Sequence, residues 1–251
     1  MLKLSKKQLT IKSLAADEQG FSNDLVDARG EKWKDHGQGV IPGTRKIRKS
    51  YDSYYYREET FKKRIFLHAT HGPLSTDAGN LSKKNYHVST SYLVARDGTV
   101  YELFDPKYWS YHIGSSQKRG TWSNKTISST SIGIEMSNWL WLREHPSKPD
   151  ILLDAWDFPY CMKSDLDHYK ETSYRGHKYY ATFTDAQYRA VDTLLLRLCR
   201  KFEIPHTFLK GKDKYKLFHD VPHVGILSHA NLRPDKIDVG PVFDYGRIAG
   251  R

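Results

Sequence analysis

Cysteine is scarce in this chain of 251 residues: there are two, Cys161 and Cys199. They form no CxxC pair, so neither a disulfide framework nor a cysteine-based metal knuckle can be built from them. Cys199 falls in an apolar run with helical spacing and reads as a small buried hydrophobe. Long apolar runs are also missing, which excludes a bilayer-spanning helix. The opening Met1–Lys7 is basic, but no apolar stretch follows it. No secretory leader is therefore expected, and synthesis in the cytoplasm is. Internal repeats and low-complexity tracts are absent as well, which excludes solenoids and disordered arrays.

Against these absences stand 38% apolar residues, enough for one sizeable core, and 17 tyrosines. Tyrosine-rich surfaces suit sugar-like ligands, because the ring stacks while the hydroxyl hydrogen-bonds; packing at a core edge is the plainer use. The net charge of +11 attracts polyanions: nucleic acid, anionic lipid or an anionic cell wall. Residues 1–60 lack clear periodicity and are punctuated by glycine and proline. They read as a basic, irregular N-terminal extension, with a short helix around Leu4–Leu14. Within it the basic run Arg45–Lys49 precedes the tyrosine-rich stretch Tyr51–Tyr56. Interleaved basic and aromatic residues invite a nucleic-acid reading. A packed arm beside the core is preferred, since nothing else in the chain resembles a nucleic-acid module.

Periodicity begins at Arg64. Arg64–His68 predicts a buried strand ending in the loop Ala69–Gly72. Gly79–Tyr86 reads as a polar loop. Ser91–Arg96, the dipeptide Asp97-Gly98, and Thr99–Phe104 predict a hairpin. Ser131–Met136 predicts another strand. Residues 139–180 read as an irregular, aromatic-rich insertion. Thr184-Asp-Ala-Gln187 is a capping box that opens a helix carrying Tyr188, Val191, Leu195, Leu198 and Phe202 on one face, with Pro205 beyond its end. This order predicts one α/β domain with a mixed β-sheet flanked by helices.

Three distant segments carry the residue types of a hydrolytic metal site. His68 stands where the first predicted strand meets its loop, a common position for catalytic groups. His229 and Asp238 are nine residues apart in a loop containing Pro234, Gly240 and Pro241, which can bring both side chains to one ion. Two histidines and one carboxylate, with a fourth position open, make the ligand set of a catalytic zinc site. Glu135, on a strand of small and apolar residues, needs either a salt-bridge partner or a task, and the task would be general base. Lys236 is either a solvated loop lysine or an ammonium that stabilises an oxyanion. His71 is assigned to the surface or to support of the site, because Gly72-Pro73 should turn it away. His112, in Trp109-Ser-Tyr-His112-Ile-Gly, is read as lining a substrate groove rather than as a fourth ligand. Trp109, Tyr111 and Asn124 are weaker candidates for the same rim.

Taken in order, Phe66–Thr70, Ser91–Val100, Trp109–Gly114, Ser131–Glu135, Thr184–Gln187 and His229 through Lys236-Ile-Asp238-Val-Gly-Pro241 resemble the zinc-dependent N-acetylmuramoyl-L-alanine amidases, the family that also holds phage lysozyme-type amidases and peptidoglycan recognition proteins. The resemblance covers about residues 60–245 and lies in the ordered set more than in any one motif. It implies a catalytic domain over residues 61–251, interrupted by the insertion near 139–180. It implies one Zn²⁺ held by His68, His229 and Asp238, and cleavage of the amide between the lactyl group of N-acetylmuramic acid and L-alanine in peptidoglycan. Many members have cysteine where Asp238 stands; aspartate marks the branch that cleaves muropeptides in the bacterial cytoplasm. In that branch Glu135 and Lys236 match the acid/base and the oxyanion-stabilising lysine. Some phage members carry a catalytic tyrosine where this chain has Thr90.

The expected partner is peptidoglycan, with anionic wall polymers as secondary contacts through the basic surface. Action on a cell wall, as in a phage endolysin or a bacterial wall enzyme, would require export by other means. The competing reading is a non-catalytic peptidoglycan-binding module of the same fold. The retained ligand set, Glu135 and Lys236 favour the enzyme. A nucleic-acid-associated protein would leave that set unexplained.

Overall fold

A computed structural model describes residues 9–114, 123–209 and 223–249. Helix α1 (Leu9–Asp24) comes first, followed by two short strands, β1 (Lys34–Gln38) and β2 (Arg45–Arg48). The helix expected around Leu4–Leu14 is described from Leu9 and runs on to Asp24; residues 1–8 fall outside the described residues. Strand β3 (Arg64–Ala69) leads into α2 (Leu74–Asn80). Strands β4 (Tyr92–Val94) and β5 (Val100–Glu102) form the predicted hairpin, and α3 (Asn124–Ser129) precedes β6 (Ser131–Met136). Gly98 at the hairpin tip has φ +90°, and a Cβ there would lie 2.9 Å from the Ala186 carbonyl oxygen, so the turn and its close approach to the backbone at Ala186 both require glycine.

Residues 139–180, expected to be irregular, instead form a second sheet. Its strands are β7 (Trp141–His145), β8 (Lys148–Leu153), β9 (Pro159–Met162), β10 (Tyr169–Tyr174) and β11 (His177–Ala181), antiparallel throughout in the order β10-β11-β7-β8-β9. Short hairpins and charged outward positions hide the pattern in the sequence. Its apolar side is Trp139, Leu142, Leu152, Tyr160, Tyr169 and Tyr179. The insertion leaves and rejoins the main body at one point, where the Asn138 amide donates to the Thr182 carbonyl at 3.1 Å.

Helix α4 (Asp185–Phe202) follows, with Thr184 and Gln187 forming the reciprocal cap. Strand β12 (Gly225–Ser228) and the short α5 (Gly246–Ala249) complete the described chain. The main sheet runs β1-β2-β5-β4-β6-β3-β12, with β4, β6, β3 and β12 mutually parallel and β5 antiparallel to β4. The mixed sheet flanked by helices is therefore as expected.

Alternation along the central strands sorts their side chains. Ile65, Leu67 and Ala69 of β3 and Ile132, Ile134 and Met136 of β6 pack against Tyr188, Val191, Leu194, Leu195 and Leu198 of α4. Burying each of those aliphatic side chains stabilises the fold by about 1.5–3 kcal/mol. The intervening residues point to the opposite face: Phe66 and His68 from β3, and Ser131, Gly133 and Glu135 from β6. The N-terminal region packs on that side of the sheet's far end. Phe21, Trp33, Ile47, Tyr54 and Tyr55 join Leu93, Tyr101 and Phe104 in a second core. Tyr54 and Tyr55 of the tyrosine-rich stretch are buried in this core, so this part of the stretch packs beside the sheet.

Candidate active site

Parallel pairing of β3 with β6 sets His68 directly beside Glu135 on the face away from α4. The next strand over, β12, ends at Ser228, and a single turn of 3-10 helix, His229–Asn231, begins there. The Asn231 side chain accepts from the Ser228 backbone N–H at 2.8 Å and from its hydroxyl, which fixes the turn. The following loop doubles back, and the Ala230 N–H donates to the Asp238 carbonyl at 3.0 Å. This brings His229 and Asp238 alongside His68, as their spacing implied.

Three atoms converge. His68 Nδ1 lies 3.2 Å from His229 Nδ1 and 3.4 Å from Asp238 Oδ2, and His229 Nδ1 lies 3.1 Å from Asp238 Oδ2. All three residues are buried. Metal–ligand bonds of about 2.0–2.1 Å in a tetrahedron place neighbouring ligand atoms about 3.3 Å apart. The observed triangle has those edges.

The outward nitrogens establish which atoms carry protons. His229 Nε2 lies 2.9 Å from the Ile113 carbonyl, which can only accept, so Nε2 bears hydrogen and Nδ1 a lone pair. For His68 the same deduction runs through three residues. The Ser131 hydroxyl donates to the Ile127 carbonyl at 2.6 Å, so Ser131 Oγ accepts from His112 Nε2 at 2.9 Å. His112 Nδ1 is then an acceptor, and His68 Nε2 donates to it at 3.0 Å. His68 Nδ1 is left with its lone pair facing the triangle. Burial pushes the His68 imidazole down to about 4, so it is neutral at ordinary pH. Two neutral lone pairs and a carboxylate at this spacing repel one another unless a cation sits among them. The donor set and its geometry fit a divalent metal.

The ring of His112 reaches the cavity wall, but protein groups engage both its nitrogens, so it is not free to bind substrate. It braces His68. Gly133 permits this arrangement, because a Cβ there would lie 3.2 Å from His112 Cγ and 2.8 Å from the Thr90 methyl. Trp109, expected on the rim, is buried: it stacks on Tyr56 at 4.2 Å and donates to Glu58. Its neighbour Tyr111 is half-buried in the same aromatic cluster. Asn124 is buried and accepts from Ser128. Thr90 is buried beside Gly133 and places no phenol in the site.

A cavity of about 300 Å³ opens over the triangle and is also lined by Glu135 and Lys236. Burial pushes the Glu135 carboxyl well above the ordinary range, with the Asp238 and Asp77 carboxylates adding to the effect and Lys236 opposing it. His71 is not turned away: with Trp141 and His177 of the inserted sheet it lines the same cavity. A further contribution from that sheet is Arg175, at the β10–β11 turn. Its guanidinium donates to the carbonyls of Arg233 at 3.1 Å, Ala230 at 3.2 Å, and Lys236. The one hint of it in the sequence is the turn dipeptide Arg175-Gly176.

A family model described as N-acetylmuramoyl-L-alanine amidase matches residues 59–241. The chain belongs to this family. The match begins just ahead of β3, ends just after Asp238, and contains the whole inserted sheet. No curated protein sequence matches it. Among solved structures, the chain is similar to AmiD from E. coli, whose complex holds anhydro-N-acetylmuramic acid-L-Ala-D-gamma-Glu-L-Lys, at 21% identity and TM-score 0.49, over 77% of this chain and 58% of that one. The chain thus spans little more than half of the AmiD structure. It is similar to an AmpD derivative at 17% identity and TM-score 0.48, over 86% of this chain and 97% of that one. The endolysin LysCS from Clostridium intestinale URNW is similar at 11% identity and TM-score 0.44, over 85% and 97% of the two chains.

Proposed function

We propose that this protein is a zinc-dependent N-acetylmuramoyl-L-alanine amidase, hydrolysing the amide between the lactyl group of N-acetylmuramic acid and the L-alanine of a peptidoglycan stem peptide. The observation that carries the reading is the triangle of His68 Nδ1, His229 Nδ1 and Asp238 Oδ2, each with a lone pair directed inward. A zinc ion held by these three supplies Lewis acidity toward water and toward an amide carbonyl.

The protein groups do the rest. The Glu135 carboxylate accepts a proton from the attacking water as oxygen adds to the amide carbon, then returns it to the amide nitrogen as the C–N bond breaks. The lactyl carboxylate and the protonated α-amine of L-alanine result, the second proton of the water passing from the new acid to the amine. The Lys236 ammonium sits where negative charge develops on the carbonyl oxygen and stabilises it. Ile113 and His112 hold the ring protons of His229 and His68 on the outward nitrogens, so both Nδ1 atoms stay available.

A binding module without turnover would need neither the half-buried Glu135 nor Lys236 beside the triangle. Both features support the enzyme. The physiological setting we infer is a cell wall, lysed from outside or remodelled from within. Incubation with purified peptidoglycan, followed by mass analysis of the fragments, tests the reading: new N-terminal alanine and intact muramic acid are expected. Release of reducing sugar ends, or no release at all, would contradict it.

A further inference from the structure

Resting on that amidase reading, we propose that the inserted five-stranded sheet carries a saccharide subsite, in which Trp141, His177, Trp156 and His71 form an aromatic wall that receives the pyranose ring of the muramyl group. Trp141 and His177 line the cavity that holds Glu135 and Lys236, so the wall borders the reacting centre rather than a separate cleft. Their rings stack at 4.2 Å with 15° between planes, so each covers one face of the other and the pair offers a ligand its outer faces and edges. His71 stands edge-on to Trp141 at 6.1 Å and to Trp156 at 6.0 Å, which carries the surface outward to the rim. Trp156 leaves 56% of its surface in water, a costly placement for an indole with no ligand to cover it.

The chemistry of the wall selects among the parts of a muropeptide. It contains no Lys, Arg, Asp or Glu. Burial lowers both the His71 and His177 imidazoles, so they are neutral at ordinary pH. A stem peptide bearing a free carboxylate gains nothing from four neutral rings. A pyranose presents an uncharged C–H face that packs on an aromatic face, with hydroxyls left to water. The wall is also rigidly placed. The Arg175 guanidinium ties the tip of the inserted sheet to the loop of His229 and Asp238, and Asn138 ties its base to Thr182. Trp141 and His177, on strands fixed in this way, keep their distance from the scissile bond.

The test compares two substrates that share the scissile amide: N-acetylmuramyl-L-alanyl-D-isoglutamine, and D-lactyl-L-alanyl-D-isoglutamine, which lacks the sugar. Trp156→Ala, at an exposed position, and Trp141→Leu should each lower kcat/KM on the muramyl substrate about tenfold, mainly through KM, and leave the lactyl substrate unchanged. Equal losses on both substrates, or no loss on either, would overturn the subsite. Tryptophan fluorescence titrated with N-acetylmuramic acid alone decides the same point without turnover. Saturable quenching that Trp141→Leu abolishes supports the subsite; its absence in the native protein overturns it. Failure to cleave either substrate would instead count against the amidase reading.

Discussion

The guanidinium of Arg175, at the tip of the inserted sheet, donates to the main-chain carbonyl of Lys236, in the loop after β12 and 61 positions further on. With further bonds to Arg233 and Ala230, one side chain from the insertion holds the loop that carries His229, Lys236 and Asp238. Each such charged hydrogen bond is worth about 1.5–3 kcal/mol. Arg175→Ala should therefore lower zinc affinity by about 10–100-fold, the usual effect of losing an outer-shell partner, while the fold persists. Arg175→Lys should recover part of the loss. Competition with a chromogenic chelator measures it; unchanged affinity in Arg175→Ala would remove the residue from the site.

His112 is predicted to act through His68. His112→Ala leaves His68 Nε2 without its acceptor at 3.0 Å and frees the ring to rotate. Zinc affinity should fall by about 10–100-fold. Gly133→Ala should reproduce the defect, because its new methyl group would crowd the His112 ring. Substrate binding unaffected by His112→Ala at saturating zinc would confirm bracing rather than groove lining.

Glu135→Gln keeps the shape and removes the proton acceptor. Turnover should drop by about 10²–10⁴-fold with zinc content unchanged. Undiminished hydrolysis would assign the proton transfer elsewhere.

Lys62 gives a prediction about stability. It is fully buried, and its Nζ contacts Thr60 Oγ1, the Tyr108 carbonyl and the Ser129 carbonyl. Burial lowers it from 10.5 to about 7. Between pH 7 and pH 10.5 the unfolded chain then binds the proton that the folded chain has released, so stability rises with pH across that window. The contribution is at its least favourable below pH 7, where both states are charged. Lys62→Met should flatten the rise, as read from urea midpoints at a series of pH values. An identical slope in the variant would show that Lys62 stays charged when buried.

The sequence displayed the parts that local rules govern. The Thr184–Gln187 capping box placed α4, Asp97-Gly98 placed the hairpin, and the apolar runs placed β3 and β6. The two histidines and Asp238 stood out because few other tasks suit them. What stayed hidden depends on long-range packing. Trp109 carries no local sign that it stacks on Tyr56, 53 positions earlier, instead of facing substrate. The strands of the insertion are short and rich in charge, so burial on one side only emerges once all five are paired. Arg175 looks like any turn cation until the loop it holds is seen beside it. Helix α2 follows Pro73 with a single fully buried leucine, Leu74, which is too little apolar surface for a periodic signal.

Metal binding at equilibrium tests the central claim most directly. Calorimetric titration of the metal-free protein with Zn²⁺ should give one tight site per chain, lost in both His229→Ala and Asp238→Ala. A native protein that binds no zinc, or an Asp238→Ala protein that binds it as tightly as the native chain, would contradict the account.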